Sequence, residues 1–109
     1  MTTVLDPVPM CAALADETRW RILELLGEAD RSASDLAELL PVSRQAIAKH
    51  LQQLEAVGLV EHERVGRAVR YRALGAPLSR LAGRLDTIAR GWERRLTRLR
   101  DLAESLAEE

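Results

Sequence analysis

The chain has 109 residues, 47% of them apolar and 30% charged, with a formal net charge of −1. That length makes one domain with room for a core, small enough to gain from a partner subunit, and the composition is globular rather than disordered. No apolar run is long enough to cross a bilayer, residues 1–6 hold no basic segment leading into an apolar one, and the lone Cys11 excludes an intramolecular disulfide, so a reducing cytoplasm is the expected setting.

The charge is unevenly spread. Residues 1–42 carry eight acids and three bases, residues 43–72 three acids and six bases, and residues 73–109 six acids and seven bases. Positive charge is therefore concentrated in the middle third, where a local field can steer an anionic partner despite the near-neutral total. Lys49 is the only lysine among the sixteen cations.

Pro7 and Pro9 mark an irregular start, after which Met10, Cys11, Ala13 and Leu14 suit a short packed helix over 8–15. Asp16 is placed to cap a second helix, 17–26, whose Ile22, Leu23, Leu25 and Leu26 form a broad apolar face, with Gly27 as its stop. Trp20 in that helix reads as core or interface packing. Ser32 to Asp35 fits a capping box ahead of Leu36, Ala37, Leu39 and Leu40, and Pro41 closes that short helix. Ser43 then caps a further helix ending at Gly58, a natural left-handed C′ residue. Its Ile47, Leu51 and Leu54 make one apolar stripe. Off the stripe lie Arg44, Gln45, Lys49 and Gln52, cations and amides with no acid among them, the side chains that bond base edges and phosphates. A solvated face is the bland alternative, and the neighbours decide between them. Two capped helices joined by Pro41-Val42 read as helix-turn-helix.

After Gly58 the period changes to two. Residues 59–64 and 68–73 read as strands joined at Val65-Gly66-Arg67, a β-hairpin with Arg64, Arg67, Arg70 and Arg72 on its tip and one face. Helix-turn-helix followed directly by such a hairpin is a winged helix, a combination far more specific than either half. Pro77 suits the first helical position of a last helix. There Leu78, Leu81, Leu85, Ile88, Trp92, Leu96, Leu99, Leu102 and Leu106 recur at three- and four-residue steps, the spacing of a seam that packs on another helix. Gly83 and Gly91 are places where it can bend. Unbroken from 78 to 106 it would run about 43 Å, more than so small a body can cover, so dimerisation is expected.

These residues resemble a known family. Residues 13–26, ALADETRWRILELL, are similar to the opening of ArsR/SmtB-family bacterial transcriptional regulators. Residues 35–37, 42–51 and 54–60 resemble that family's helix-turn-helix, and residues 64–71 its wing. The likeness spans roughly residues 8–74, and Trp92 to Leu96 is similar to the tail of a non-metal branch. It implies a mainly α fold of about five helices and a two-stranded wing, forming a homodimeric repressor on double-stranded operator DNA. The terminal helices would dimerise (residues 1–15 and 75–109, about a DNA-binding centre at 16–74). Met10, Leu14, Leu85, Ile88, Trp92, Leu96 and Leu99 are the interface residues expected. The resemblance puts Ser43, Arg44, Gln45, Lys49 and His50 in or beside the major groove, with Gln52 further along, and the four wing arginines on phosphates or in the minor groove. Many relatives carry a hydroxyl where this chain has Ala48, so the operator need not match theirs.

Metal-sensing members hold paired cysteines in the first helix-turn-helix helix, or Asp, His and Glu ligands on the last. Here residues 34–40 hold no cysteine and the last helix no histidine, so no metal and no cofactor are expected. Cys11 is expected to be buried packing rather than a thiol sensor, and His62 a surface residue. No phosphate loop, nucleophile setting or carboxylate pair points to an enzyme. Two other readings stay open: a winged helix serving as a protein-interaction module without specific DNA binding, and a regulator answering to an unidentified small molecule.

Overall fold

The computed structural model describes residues 7–108; residue 109 and residues 1–6, on which the expectation about a secretion signal falls, lie outside the described residues. The elements run α1 (Pro7–Leu14), α2 (Glu17–Glu28), α3 (Ala33–Leu39), α4 (Arg44–Ala56), β1 (Val60–Val65), β2 (Ala68–Ala73) and α5 (Gly75–Ala107). Five helices and a hairpin are the winged helix-turn-helix expected.

The caps act where the sequence puts them. Asp16 accepts from the Arg19 backbone N–H at 3.0 Å. Ser32 and Asp35 form a complete capping box, Asp35 N–H to Ser32 Oγ at 3.0 Å and Ser32 N–H to Asp35 Oδ2 at 2.9 Å. Ser43 Oγ accepts from Ala46 N–H at 3.1 Å. At the end of α4, Gly58 has φ +81, and the N–H groups of Gly58 and Leu59 bond to the carbonyls of Glu55 and Leu54. That is a Schellman closure, and the left-handed backbone it needs explains the glycine.

Two boundaries differ from the sequence reading by more than one residue, while α1 and β1 are each shifted by one. Gly27 does not stop α2, because its φ is not positive; the helix ends instead at Ala29, in extended backbone. The extension leads to Arg31, whose N–H and carbonyl pair with those of Tyr71 at 3.1 and 2.8 Å. Arg31 is thus a one-residue third strand on the free edge of β2. The last helix begins at Gly75, so Pro77 stands third rather than first, still within the turn where its missing N–H costs nothing.

The core is a single cluster of Met10, Ala13, Ile22, Leu26, Leu36, Leu40, Ile47, Leu51, Leu54, Leu59, Val60 and Leu81. It receives the inner faces of α1 to α4 and the first residue of the wing. Of α5, only Leu81 is buried, with Leu78 partly so. Beyond them the helix continues unbroken through Gly83 and Gly91, about 50 Å in all at 1.5 Å per residue. The molecule is correspondingly drawn out, 74 × 34 × 20 Å. No helix among the described residues is long and apolar enough to cross a membrane.

Asp16 and Asp35 are both held below the ordinary carboxylate range, chiefly by the backbone N–H groups of Arg19 and Ser32 respectively. A carboxyl depressed by folding stabilises the native state above its unfolded pKa, and that contribution is lost as pH falls through the folded one. The melting temperature should therefore decline as pH drops below about 4. Asp35→Asn should be less stable than wild type at pH 7 and lose less on acidification, which thermal melts across a pH series would read.

Candidate nucleic-acid interface

Burial of Ile47, Leu51 and Leu54 fixes the rotation of α4 and turns the rest of it outward. Arg44, Gln45, Lys49 and Gln52 are exposed, and among the described residues none has a hydrogen-bonding or ionic partner. Ser43 lies at the same end, its hydroxyl serving as the cap. Between the start of α3, the start of α4 and the wing lies a groove of about 480 Å³ whose lining includes Ser32, Ser34, Arg44, Gln45, Ala48 and Arg67. No acid lines it. Ala48, the departure from the family pattern, contributes only a methyl group there.

The wing differs from the expected arginine face. β1 and β2 are antiparallel, with Glu61 opposite Arg72, Glu63 opposite Arg70, and Arg64 opposite Val69. Gly66 has φ +64 and Arg67 does not go positive, the arrangement of a type II′ turn. Side chains alternate across a strand, so Arg64 shares a face with His62, Val69 and Tyr71, while Arg70 and Arg72 share the other with Glu61 and Glu63. Arg72 is held by three carboxylates: it is hydrogen-bonded to Glu63 and lies 3.8 Å from both Asp30 and Glu61. It is not the free cation the sequence suggested. Among the described residues Arg64 and Arg67 have no such partner, while Arg70 lies within electrostatic reach of Asp35.

His50 also lies elsewhere than expected. It is half-buried on the flank of α4 toward α2, and Arg19 donates to its Nδ1 at 3.3 Å. The same guanidinium donates to Gln53 Oε1 at 2.5 Å and to the Ala13 carbonyl at 2.5 Å. Sequence reasoning missed this role of Arg19; the only trace was its place three residues after a capping Asp16. His62 is exposed as expected, with its Nδ1 2.5 Å from Glu55 Oε1 and its ring 6.0 Å from that of Tyr71.

The residues expected at an interface divide. Met10 is enclosed in its own chain's core, 1% exposed, and has no surface left for a partner. Leu14 is partly buried, while Leu85, Ile88, Trp92, Leu96 and Leu99 are each more than half exposed, as are Leu102 and Leu106. Cys11 is exposed, not buried packing, and with Leu14, Trp20, Leu78, Leu81, Ala82 and Leu85 it lines an almost wholly apolar groove of about 380 Å³. Trp20 is thus outside the core, at the rim of the same surface. Arg95 covers part of Trp92, its guanidinium 5.6 Å from the ring centre.

Known proteins share this fold. Residues 14–63 match a helix-turn-helix domain family. An ArsR-like transcriptional regulator from Rhodococcus sp. RHA1 is 58% identical, covering 89% of this chain and 92% of that one, with a TM-score of 0.78. The chain belongs to the ArsR/SmtB family. Its relatives include the HTH-type transcriptional regulator Rv2034 of Mycobacterium tuberculosis, 36% identical over 96% of this chain and 95% of that protein. The repressor SmtB of the same species is 36% identical over 74% of this chain, which spans 58% of that longer protein. The homodimeric winged helix-turn-helix DNA-binding domain of Mb0332 from Mycobacterium bovis is 32% identical, with a TM-score of 0.64 over 79% of this chain and 81% of that one. The family consists of transcriptional regulators rather than enzymes, and this chain is one of them.

Proposed function

We propose that this regulator is a homodimeric cytoplasmic repressor that binds a roughly palindromic operator without a metal-sensing site. One observation carries the reading: Arg44 and Gln45 of α4 and Arg67 of the wing tip line one acid-free groove, while the apolar seam of α5 stands uncovered on the same chain. Gln45 and Lys49, with Arg44 and Gln52, read base edges in the major groove; Arg64, Arg67 and Arg70 hold phosphates or enter the minor groove. Arg72 and His50 serve the fold instead. As proposed, residues 1–109 act as one DNA-binding unit, with the terminal helices in the dimer contact.

The seam supports the dimer. Its seven exposed side chains beyond Leu81 each gain on the order of 1 kcal/mol or more when a partner covers them. The charges agree: α5 carries seven arginines and two acids over residues 80–100, then Asp101, Glu104 and Glu108 without a base. Two such helices laid antiparallel bring the acidic end of one beside the basic stretch of the other. A two-fold dimer of this kind sets its recognition helices about 34 Å apart, hence the palindrome. Repression follows the reading of SmtB, and a site occupied by the dimer is closed to other proteins.

In mobility-shift titrations against the chain's own promoter DNA over a salt series, wild type should bind one duplex specifically with a steep negative salt slope. Gln45→Ala and Lys49→Ala should each lose about ten-fold or more in discrimination against random DNA. Arg67→Ala should weaken both DNAs alike and reduce the slope by about one, whereas Arg72→Ala should leave the slope unchanged. Equal loss on both DNAs from all of them would displace the base-contact assignment. Absent or salt-insensitive binding would favour the protein-interaction module.

Sedimentation tests the seam. Trp92→Ala and Leu99→Glu should both shift the protein toward monomer and abolish tight operator binding. Variants that remained tight dimers would locate the contact elsewhere.

A further inference from the structure

Arg19 is 16% exposed at its side chain and collects bonds from three helices. Its Nε donates to the carbonyl of Ala13, one of the last-turn carbonyls of α1 that lack an intrahelical partner. Its NH1 group faces His50 Nδ1 and Gln53 Oε1, three residues apart on the flank of α4 between the core stripe and the groove-facing side. Since guanidinium only donates, His50 Nδ1 is the acceptor in this contact. Asp16 steadies the group from its own helix: Oδ1 accepts from the Arg19 backbone N–H, and Oδ2 lies 3.9 Å from NH1.

Arg19 thus links the end of α1 to the flank of α4 through directional bonds. Met10 packs in the shared core, but apolar contact has no preferred direction and tolerates small rotations. A planar cation bonded at several points does not. Contacts to base edges need side chains held within about 0.5 Å, so a loosened α4 loses discrimination before it loses affinity. The other side of α1 carries Cys11 and Leu14 on the apolar groove shared with α5.

We propose that Arg19 is the positioning residue of the DNA-reading helix: through His50 and Gln53 it fixes the attitude of α4 relative to α1, and so relative to the surface on which two chains pair. This deepens the regulator reading and rests on it. It assigns sequence discrimination to a residue outside the groove lining.

The test uses the full chain, a duplex that wild type recovers from a randomised library, and a scrambled duplex of equal length. Arg19→Lys and Gln53→Leu should each lose about ten-fold in the ratio of recovered to scrambled affinity. Scrambled-duplex affinity, its salt slope and the dimer mass should not change. Gln53→Glu, which keeps an acceptor, should retain wild-type discrimination. The double variant Arg19→Lys/Gln53→Leu should lose no more than the worse single variant, because both break one device. Additive losses, equal losses on both duplexes, or unchanged discrimination in both single variants would overturn the proposal. Should Arg19→Lys prove unfolded by circular dichroism, Gln53→Leu decides alone, its side chain being exposed: loss of discrimination supports the proposal and wild-type discrimination overturns it. If wild type recovers no preferred duplex, the sequence-specific reading fails first and takes this proposal with it.

Discussion

The rotation of α4 about its own axis is the constraint from which the rest of the surface follows. Ile47, Leu51 and Leu54 are fully buried, and a helix with three side chains locked in a core on one stripe can turn only slightly. A capping hydroxyl at Ser43 fixes where it starts, and the Schellman closure at Gly58 fixes where it ends. What faces outward is then dictated by arithmetic of the helix, and there Arg44, Gln45, Lys49, Gln52 and Gln53 are all cationic or amide. The same closure turns the chain through Gly58 straight into Leu59 and Val60, both in the core, so the wing is rooted beside the helix it accompanies.

The wing shows how a register can redistribute charge that composition merely counts. Once Gly66 and Arg67 occupy the turn, Glu61 and Glu63 must face Arg72 and Arg70 across the ladder. Cross-strand opposite charges stabilise a hairpin that would be marginal alone, and the pairing consumes Arg72 for that purpose. Arg31 adds a second support by closing the outer edge of β2 with two backbone bonds. The free cations that remain lie toward the tip, which is the part of a wing that reaches furthest from its own body.

Much of this was legible because local chemistry and tertiary demand agree. Ser32, Asp35, Ser43 and Gly58 each act where their type predicts, and the period change after residue 58 marks the hairpin. What escaped has a common physical cause: it depends on which separate segments meet. The Arg72 cage required the register and the nearness of Asp30. The Arg19 fork required the α1–α2–α4 packing, since nothing in the spacing of residues 13, 19, 50 and 53 announces it. The contact of His50 with Arg19 was not legible because a polar residue at the edge of an apolar stripe can turn either way. Gly27 failed as a stop because a glycine tolerates a helix, at a cost of about 1 kcal/mol, when the following strand needs the extra turn. Cys11 and Met10 exchanged places for a similar reason: adjacent residues on a short helix lie 100° apart, and only the packed structure says which of them faces in.

The last helix carries the remaining argument. Helix dipoles favour acids at the N-terminal end and bases at the C-terminal end, yet α5 has no acid in its first turn and no base in its last. Its charge gradient runs the opposite way, arginines first and carboxylates after Arg100. An isolated helix gains nothing from that order, and the pairs Asp86–Arg90 and Arg100–Glu104 offset only part of it. Beside an antiparallel copy the same order becomes complementary, each acidic end lying against the other's arginines. In the proposed dimer the apolar seam of α5 is the surface a copy would cover, and the inverted gradient favours a copy that runs antiparallel. On that proposal the dimer contact is tied to the groove surface of the same chain through α1, whose end is bonded to Arg19, so that packing rather than the DNA would set the spacing of the two α4 helices.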